Sequence, residues 1–200
     1  SFAKQKEHRV IVSQGLWRQA VQAYMASISY ADYEIGRLLA ETPTDTTIVL
    51  WSDHGWHLGP KNHWHKYTLW EEASQSVFAM AGPGIAAGER CARTVSLNDI
   101  YPTLCDLVGL SSPYPLAGRS VLPLARDPAV KWDRPALTTY GANNHSIRSE
   151  RYRYIRYDDG SHELYDHDVD PHEWNNVAGT EEAVPIIAAY ASLLPKVTPR

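Results

Sequence analysis

The stretch from Leu16 to Gly55 constrains this chain more than any other. Its first part carries apolar residues at Leu16, Ala20, Tyr24, Ile28, Ala31, Ile35 and Leu38, a helical period held over six turns. The period predicts a helix that ends near Glu41, because Thr42-Pro43 blocks continuation. The next apolar run is TTIVLW, Thr46 to Trp51, β-branched and set between polar flanks. It predicts a strand buried on both faces, hence central and parallel to its neighbours. A long helix feeding such a strand is the signature of an α/β fold. Ser52-Asp53-His54-Gly55 follows the strand's carboxyl end, the edge at which open α/β sheets bind ligands.

Further along, SVFAMAG (Ser76 to Gly82) predicts a second strand closed by a Gly-Pro-Gly turn. LNDIYPTLCDLVGL predicts a helix capped by Asn98 or Asp99 and ended by Gly109, with Pro102 in its first turn. A short helical piece is expected at Val121 to Ala125. After about Arg134 the pattern changes. HSIRSERYRYIRYDDGSHELYDH alternates polar with apolar residues around an Asp159-Gly160 turn, which predicts an antiparallel meander with one solvated face. A last helix is expected from Glu181 to Leu194 despite Pro185. The opening SFAKQKEHRVIVSQG is polar and lacks the hydrophobic strand that starts an α/β domain, so the chain reads as one entered in the middle. The expected division is residues 1–133, α/β, and residues 134–200, a small α+β subdomain.

At 44% hydrophobic and 21% charged residues the composition is that of a globular protein. A net charge of −4 with no basic stripe argues against nucleic acid as a partner. The apolar runs are too short for a membrane span. Cys91 and Cys105 are too sparse for a disulfide framework and read as buried thiols. They fit the cytoplasm, whereas a polysaccharide substrate would favour the periplasm or secretion; the compartment stays open.

WSDHGWHLGPKNHWHKY, Trp51 to Tyr67, holds four of the nine histidines. A carboxylate and an imidazole at a strand end are good donors for a divalent cation. Neighbouring strand residues point to opposite faces, so Asp53 and His54 converge only if the chain bends, as Gly55 permits. The alternative is that Asp53 caps a following helix and His54 packs in the loop. Lys66 could donate to a metal-bound anion or be a solvated surface group. His57, His63 and His65 could be acids, ligands or sugar contacts, or satisfied loop histidines. Trp56, Trp64 and Trp70 could floor a sugar site, but packing onto the sheet is the favoured reading.

YADYEIGRLLAETPTDTTIVLWSDHGWHLGPKNHWHKY resembles the C-terminal portion of the catalytic domain of type I sulfatases, closest to the iduronate and choline sulfatase branches. NDIYPTLCDLVGL with LAGRSVLPL, and ELYDHDVDPHEWNNVA, resemble the same family in the same order, so the likeness runs from about Tyr24 to Ala178. The resemblance implies the C-terminal part of an alkaline-phosphatase-like sandwich: a mostly parallel sheet with helices, plus a small α+β subdomain with antiparallel strands. It implies Asp53 and His54 as ligands of an active-site calcium and Lys66 as donor to a sulfate ester. On donor chemistry alone calcium suits Asp53, while zinc suits His54 better, and magnesium is a third option. Many members carry asparagine where His54 stands, and Gly-Glu where Gly59-Pro60 stands. The family's nucleophile is a formylglycine made within Cys/Ser-x-Pro-x-Arg. Cys91-Ala-Arg-Thr, Cys105-Asp-Leu-Val and Ser111-Ser112-Pro113-Tyr114-Pro115 all fail that pattern. The chain is therefore expected to need a missing N-terminal part of the same enzyme and to be inactive alone. A sulfated carbohydrate is the expected substrate, with His63, His65, Trp56, His145 and Arg148 as candidate contacts. The competing readings are a phosphate or phosphonate esterase of the same superfamily, and a non-catalytic carbohydrate-binding lobe.

Overall fold

The computed structural model describes residues 6–196. These form two compact units, one of residues up to 68 together with 72–83, the other of residues 69–71 together with those from 84 onward.

In the first unit, the described part of the polar opening segment, where no strand was expected, forms helix α1 (Lys6–Ser13), and residues 1–5 lie outside the described residues. Helix α2 (Trp17–Ala40) follows the apolar period read from the sequence. At its end the Thr42 hydroxyl donates to the Leu38 carbonyl at 2.8 Å, and Pro43 then forbids another turn. None of its residues is fully buried, and Met25, Ile28, Tyr33 and Leu38 are exposed. Strand β1 (Ile48–Trp51) occupies the predicted run. Strands β2 (His57–Leu58) and β3 (Trp64–His65) make a two-residue ladder; α3 (Glu71–Ser74) and β4 (Phe78–Ala81) follow.

The expectation of a parallel, doubly buried β1 is corrected. Among the described residues β1 has one ladder neighbour, β4, and the pair is antiparallel, Ile48 opposite Ala81 and Trp51 opposite Phe78. Leu50 is 36% and Trp51 51% exposed. A continuous apolar run reports that a strand is made for burial, but not which neighbours supply it.

In the second unit, helix α4 (Ile100–Leu107) is preceded by a 3-10 turn at Leu97–Asp99. Asp99 stands at the N-cap position of α4, as expected, but makes no side-chain cap bond there; the side-chain cap is that of the preceding turn, Ser96. Its hydroxyl accepts from the Asn98 N–H at 3.3 Å, and Asp99 reaches back to the Ser96 N–H at 2.9 Å. Asp99 also accepts from the Arg119 N–H and from Arg134, which is how a carboxylate only 1% exposed is satisfied. Helix α5 is Leu122–Arg126.

The meander is present as β5 (Ala136–Thr139), β6 (His145–Arg148), β7 (Tyr152–Arg156) and β8 (His162–Asp166), antiparallel in chain order. Helix α6 (Ala183–Ala191) tolerates Pro185 because it falls in the first turn. Ile147, Tyr154 and Leu164, directly opposite one another on β6, β7 and β8, pack against Ala183 and Leu194 on one face of the sheet. The other face is not solvated, as the alternation had suggested. Ile155 and Tyr165 pack there on Leu69, and Arg153 is 2% exposed. Its polar residues are covered and paired within the unit. Among the described residues no helix is long and apolar enough to cross a membrane.

Candidate active site

The chain bends directly after β1. The Ser52 N–H extends the β1–β4 ladder to the Val77 carbonyl at 2.9 Å, and the Gly55 N–H binds the Ala73 carbonyl at 2.9 Å. Between these anchors the Ser52 hydroxyl donates to the His54 carbonyl at 2.8 Å, closing a tight turn. Gly55 is required by space rather than by φ. A Cβ there would lie 2.1 Å from the Glu72 carbonyl oxygen and 2.3 Å from that of Gln75.

The bend brings Asp53 and His54 together, with Oδ2 of the carboxylate 3.5 Å from Nε2 of the imidazole. His54 Nδ1 lies 2.8 Å from the Gly55 carbonyl. A carbonyl only accepts, so Nδ1 carries a proton, and in the neutral ring it is Nε2, beside the carboxylate, that is left to act as a ligand. Two donors about 2.4 Å from one ion and at right angles to each other are about 3.4 Å apart. The pair therefore fits a shared cation, and the backbone carbonyl behind the ring is the usual support of a ligating histidine. The Asp53 side chain is 78% exposed, which leaves its other oxygen open to an ion as well.

The rest of the histidine stretch is tied back on itself. Trp56 stacks on His54 and on Tyr24 at 6.0 Å each and takes the edge of His65 at 5.1 Å. This aromatic group joins the expected metal ligand His54 and two expected contacts, Trp56 and His65, with Tyr24, which was not among the expected site residues. Trp64 is buried, its indole N–H donating to His8 at 3.3 Å and its ring against Trp17, so it packs as favoured. Gly59 has φ 115°, and a Cβ would meet the Trp17 ring at 2.1 Å. Pro60 then opens a short 3-10 turn, Pro60–Asn62. His63 is buried and its Nε2 lies 2.8 Å from the Lys66 carbonyl. Lys66 is half-buried, its ammonium 5.5 Å from the centre of the Tyr67 ring.

In the second unit the expected contacts His145 and Arg148 are held inside the sheet. His145 is 6% exposed and bonds Thr139 at 2.9 Å; burial, with Arg156 beside it, lowers its pKa. Arg148 bonds Glu71 at 3.1 Å and His167 at 2.9 Å. Trp70, also of this unit, donates to Glu163 at 2.7 Å and packs on the Leu69 cluster.

Arg148 belongs to a group that the sequence reading missed. Glu71 accepts from Arg148 and Arg153; Glu173, fully buried, accepts from Arg153, His167 and the Glu71 N–H. Burial alone would raise both carboxyl pKa values. Arg153 and Arg148 around Glu71, and His167 and Arg153 around Glu173, outweigh it and hold both below the usual range. Among the described residues Glu71, His167 and Glu173 are the one group of three donors close enough to share an ion. Two arginines already fill the carboxylates, so the arrangement reads as an ion network.

Comparison with known proteins places these features. The family described as Sulfatase matches residues 2–110, and that described as N-sulphoglucosamine sulphohydrolase, C-terminal, matches residues 59–198. A relative named Sulfatase from Formosa agariphila is 40% identical over 92% of this chain and 38% of its own length. A choline-sulfatase from Rhizobium meliloti is 34% identical over 80% of this chain and 33% of its own length. The chain thus spans between about a quarter and two fifths of the length of the curated relatives it matches. Among solved structures, BT4656 in complex with its substrate D-glucosamine-2-N,6-O-disulfate superposes with a TM-score of 0.76 at 27% identity, over 90% of this chain and 40% of that one. The phosphonate monoester hydrolase of Agrobacterium radiobacter superposes at 0.72 and 26% identity, over 83% and 38%. The fold is the C-terminal part of the alkaline-phosphatase-like sandwich of sulfatases.

Proposed function

Because the chain belongs to the sulfatase family, we propose that it forms the C-terminal portion, residues 1–133 of the catalytic domain and 134–200 of a small subdomain, of an enzyme that hydrolyses sulfate esters of a carbohydrate. The observation that carries this is the bend at Asp53 and His54, whose two donors are spaced for one cation at the end of β1.

Asp53 and His54 would hold a calcium ion, which when bound would supply Lewis-acid polarisation of the ester oxygens. Asp53 contributes charge and two oxygens; His54 contributes one neutral nitrogen of fixed tautomer. Lys66 donates from its ammonium to a sulfate oxygen and offsets the negative charge that builds there as the ester bond breaks. Trp56 and His65 line the sugar side, and His63 joins them in the wall behind Lys66. The nucleophile, a formylglycine, comes from outside these 200 residues, since no Cys/Ser-x-Pro-x-Arg occurs within them. The exposed apolar positions of α2 and β1 are consistent with an N-terminal portion of the enzyme packing there.

A sulfated sugar is preferred to a choline ester because of the aromatic group around Trp56 and the likeness to a structure holding a disulfated glucosamine. The likeness to a phosphonate monoester hydrolase supports a second reading, a phosphate or phosphonate ester substrate at the same site.

The test assays a sulfated glucosamine, an aryl sulfate and an aryl phosphonate ester with the chain alone and with the complete reading frame that encodes it. Sulfate release by the complete protein, lost on Lys66→Ala and absent from the chain alone, is expected. Turnover by the purified chain would sink the two-part mechanism, and preference for the phosphonate would select the second reading.

A further inference from the structure

Two histidines stand directly behind Lys66. His57 opens β2 and is fully buried; His63 precedes β3 and is 7% exposed. Their rings meet edge to face, 4.9 Å between centres with planes at 90°. His63 Nε2 is 2.8 Å from the Lys66 carbonyl, and since that oxygen only accepts, this nitrogen carries the proton. His57 Nε2 is 2.8 Å from the Thr68 hydroxyl. The two rings therefore grip the residues on either side of Tyr67.

The gripped segment is one the backbone resists. His65 has φ 72° and Tyr67 φ 66°, so Lys66 is flanked on both sides by non-glycine residues in the left-handed region. Lys61 and Asn62 in the preceding turn are left-handed as well, at 55° and 57°. Such conformations persist only where surrounding contacts over-determine them, and they collect at sites where a side chain must be aimed. Buried hydrogen bonds from imidazoles, whose rings have no free rotor beyond χ2, are stiff contacts of that kind.

We infer that His63, backed by His57, is a positioning residue for Lys66: its bond to the Lys66 carbonyl fixes the left-handed flanks and so the direction of the ammonium. This rests on the reading of Lys66 as the sulfate donor for its purpose, but the mechanical link stands on the hydrogen bonds and dihedrals alone. His63 acts through the backbone and need not touch substrate.

The experiment follows acetylation of Lys66 by acetic anhydride, read by peptide mass, in the wild-type protein and in His63→Leu, His63→Gln and Thr68→Val, with exposed Lys131 as internal control. His63→Leu removes the donor and should raise the Lys66 rate severalfold, as the ammonium leaves the Tyr67 ring. His63→Gln, which keeps an N–H donor, should return the rate towards wild type, and Lys131 should not change in either. Thr68→Val releases only the His57 half of the grip and should give a smaller rise; it keeps the question open to refutation if His63→Leu does not fold. Wild-type labelling of Lys66 in the folded His63→Leu and Thr68→Val proteins, or equal labelling in the Leu and Gln variants, overturns the inference. In the complete enzyme, His63→Leu should lower kcat on a sulfated sugar with little change in KM, and His63→Gln should recover it. If Lys66→Ala leaves turnover intact while the labelling pattern holds, the sulfate-donor reading fails and the positioning stands.

Discussion

Arg148 and Arg153 face one another across the β6–β7 ladder, a like-charge pair in direct register. Left alone, such a pair is destabilising. Here Glu71 accepts from both guanidinium groups, Glu173 takes a second donor of Arg153, and His167 takes one of Arg148. The guanidinium can only donate, so His167 Nδ1 is unprotonated and its Nε2–H goes to Glu173.

Removing one partner from this network leaves a buried charge uncompensated. Glu173→Gln keeps the shape but strips the carboxylate from Arg153, which is 2% exposed. The expected cost is about 3–5 kcal/mol, measured by urea unfolding. A midpoint within error of wild type would show that the network contributes nothing to stability.

Acid should unfold the second unit in two stages. His145 has a lowered pKa, so the folded state binds its proton less readily than the unfolded one. Its contribution is fully present above the ordinary value of 6.5 and declines as pH falls below it. Glu71 and Glu173 are held below 4.5, and their contribution is complete above that value and lost as pH falls through the depressed ones. Thermal melting between pH 8 and pH 3 should show both limbs, and His145→Asn should remove the upper one. Stability that rises between pH 6 and pH 3 would reverse the assigned signs.

Cation binding should depend on Asp53 more than on His54, because a hard ion prefers the carboxylate. In the complete protein, calcium titration calorimetry is expected to show Asp53→Ala weakened beyond the roughly 10–100-fold typical of an outer-sphere loss, and His54→Asn weakened less. An Asp53→Ala protein that binds calcium as wild type does would take Asp53 out of the site. Zinc binding stronger than calcium, lost on His54→Ala, would change the ion.

Gly55→Ala should damage both fold and site. Its Cβ would fall 2.1 Å from the Glu72 carbonyl, and backbone cannot swing away as a side chain can. A loss of about 1–3 kcal/mol is expected, with weaker cation binding because the bend opens. A melting temperature equal to wild type would mean that the turn has slack.

Much of this was legible in the sequence, for identifiable reasons. Helix α2, strands β1 and β4 and the β6–β8 meander follow from periodicity and turn residues, which are local properties of the chain. The sequence made a bend at Gly55 the condition for Asp53 and His54 to converge, and left open that they cap a helix and pack in the loop instead. The short β2–β3 ladder escaped notice, since two-residue strands carry no period, and with it the pairing of His57 with Thr68 and His63 with Lys66. Arg148 and Arg153 were visible as residues, but their opposition depends on register.

The sequence by itself determined the longer elements and the donor types at the end of β1, because propensity, capping and residue chemistry act over a few residues. Tertiary structure alone decided which face is covered. The polar side of the meander looked solvated, yet Glu71 and Glu173 close over Arg148 and Arg153 there; β1 looked central, yet Leu50 and Trp51 stand exposed beside one antiparallel partner. Burial is a property of what packs against a surface, and segments distant along the chain supply it.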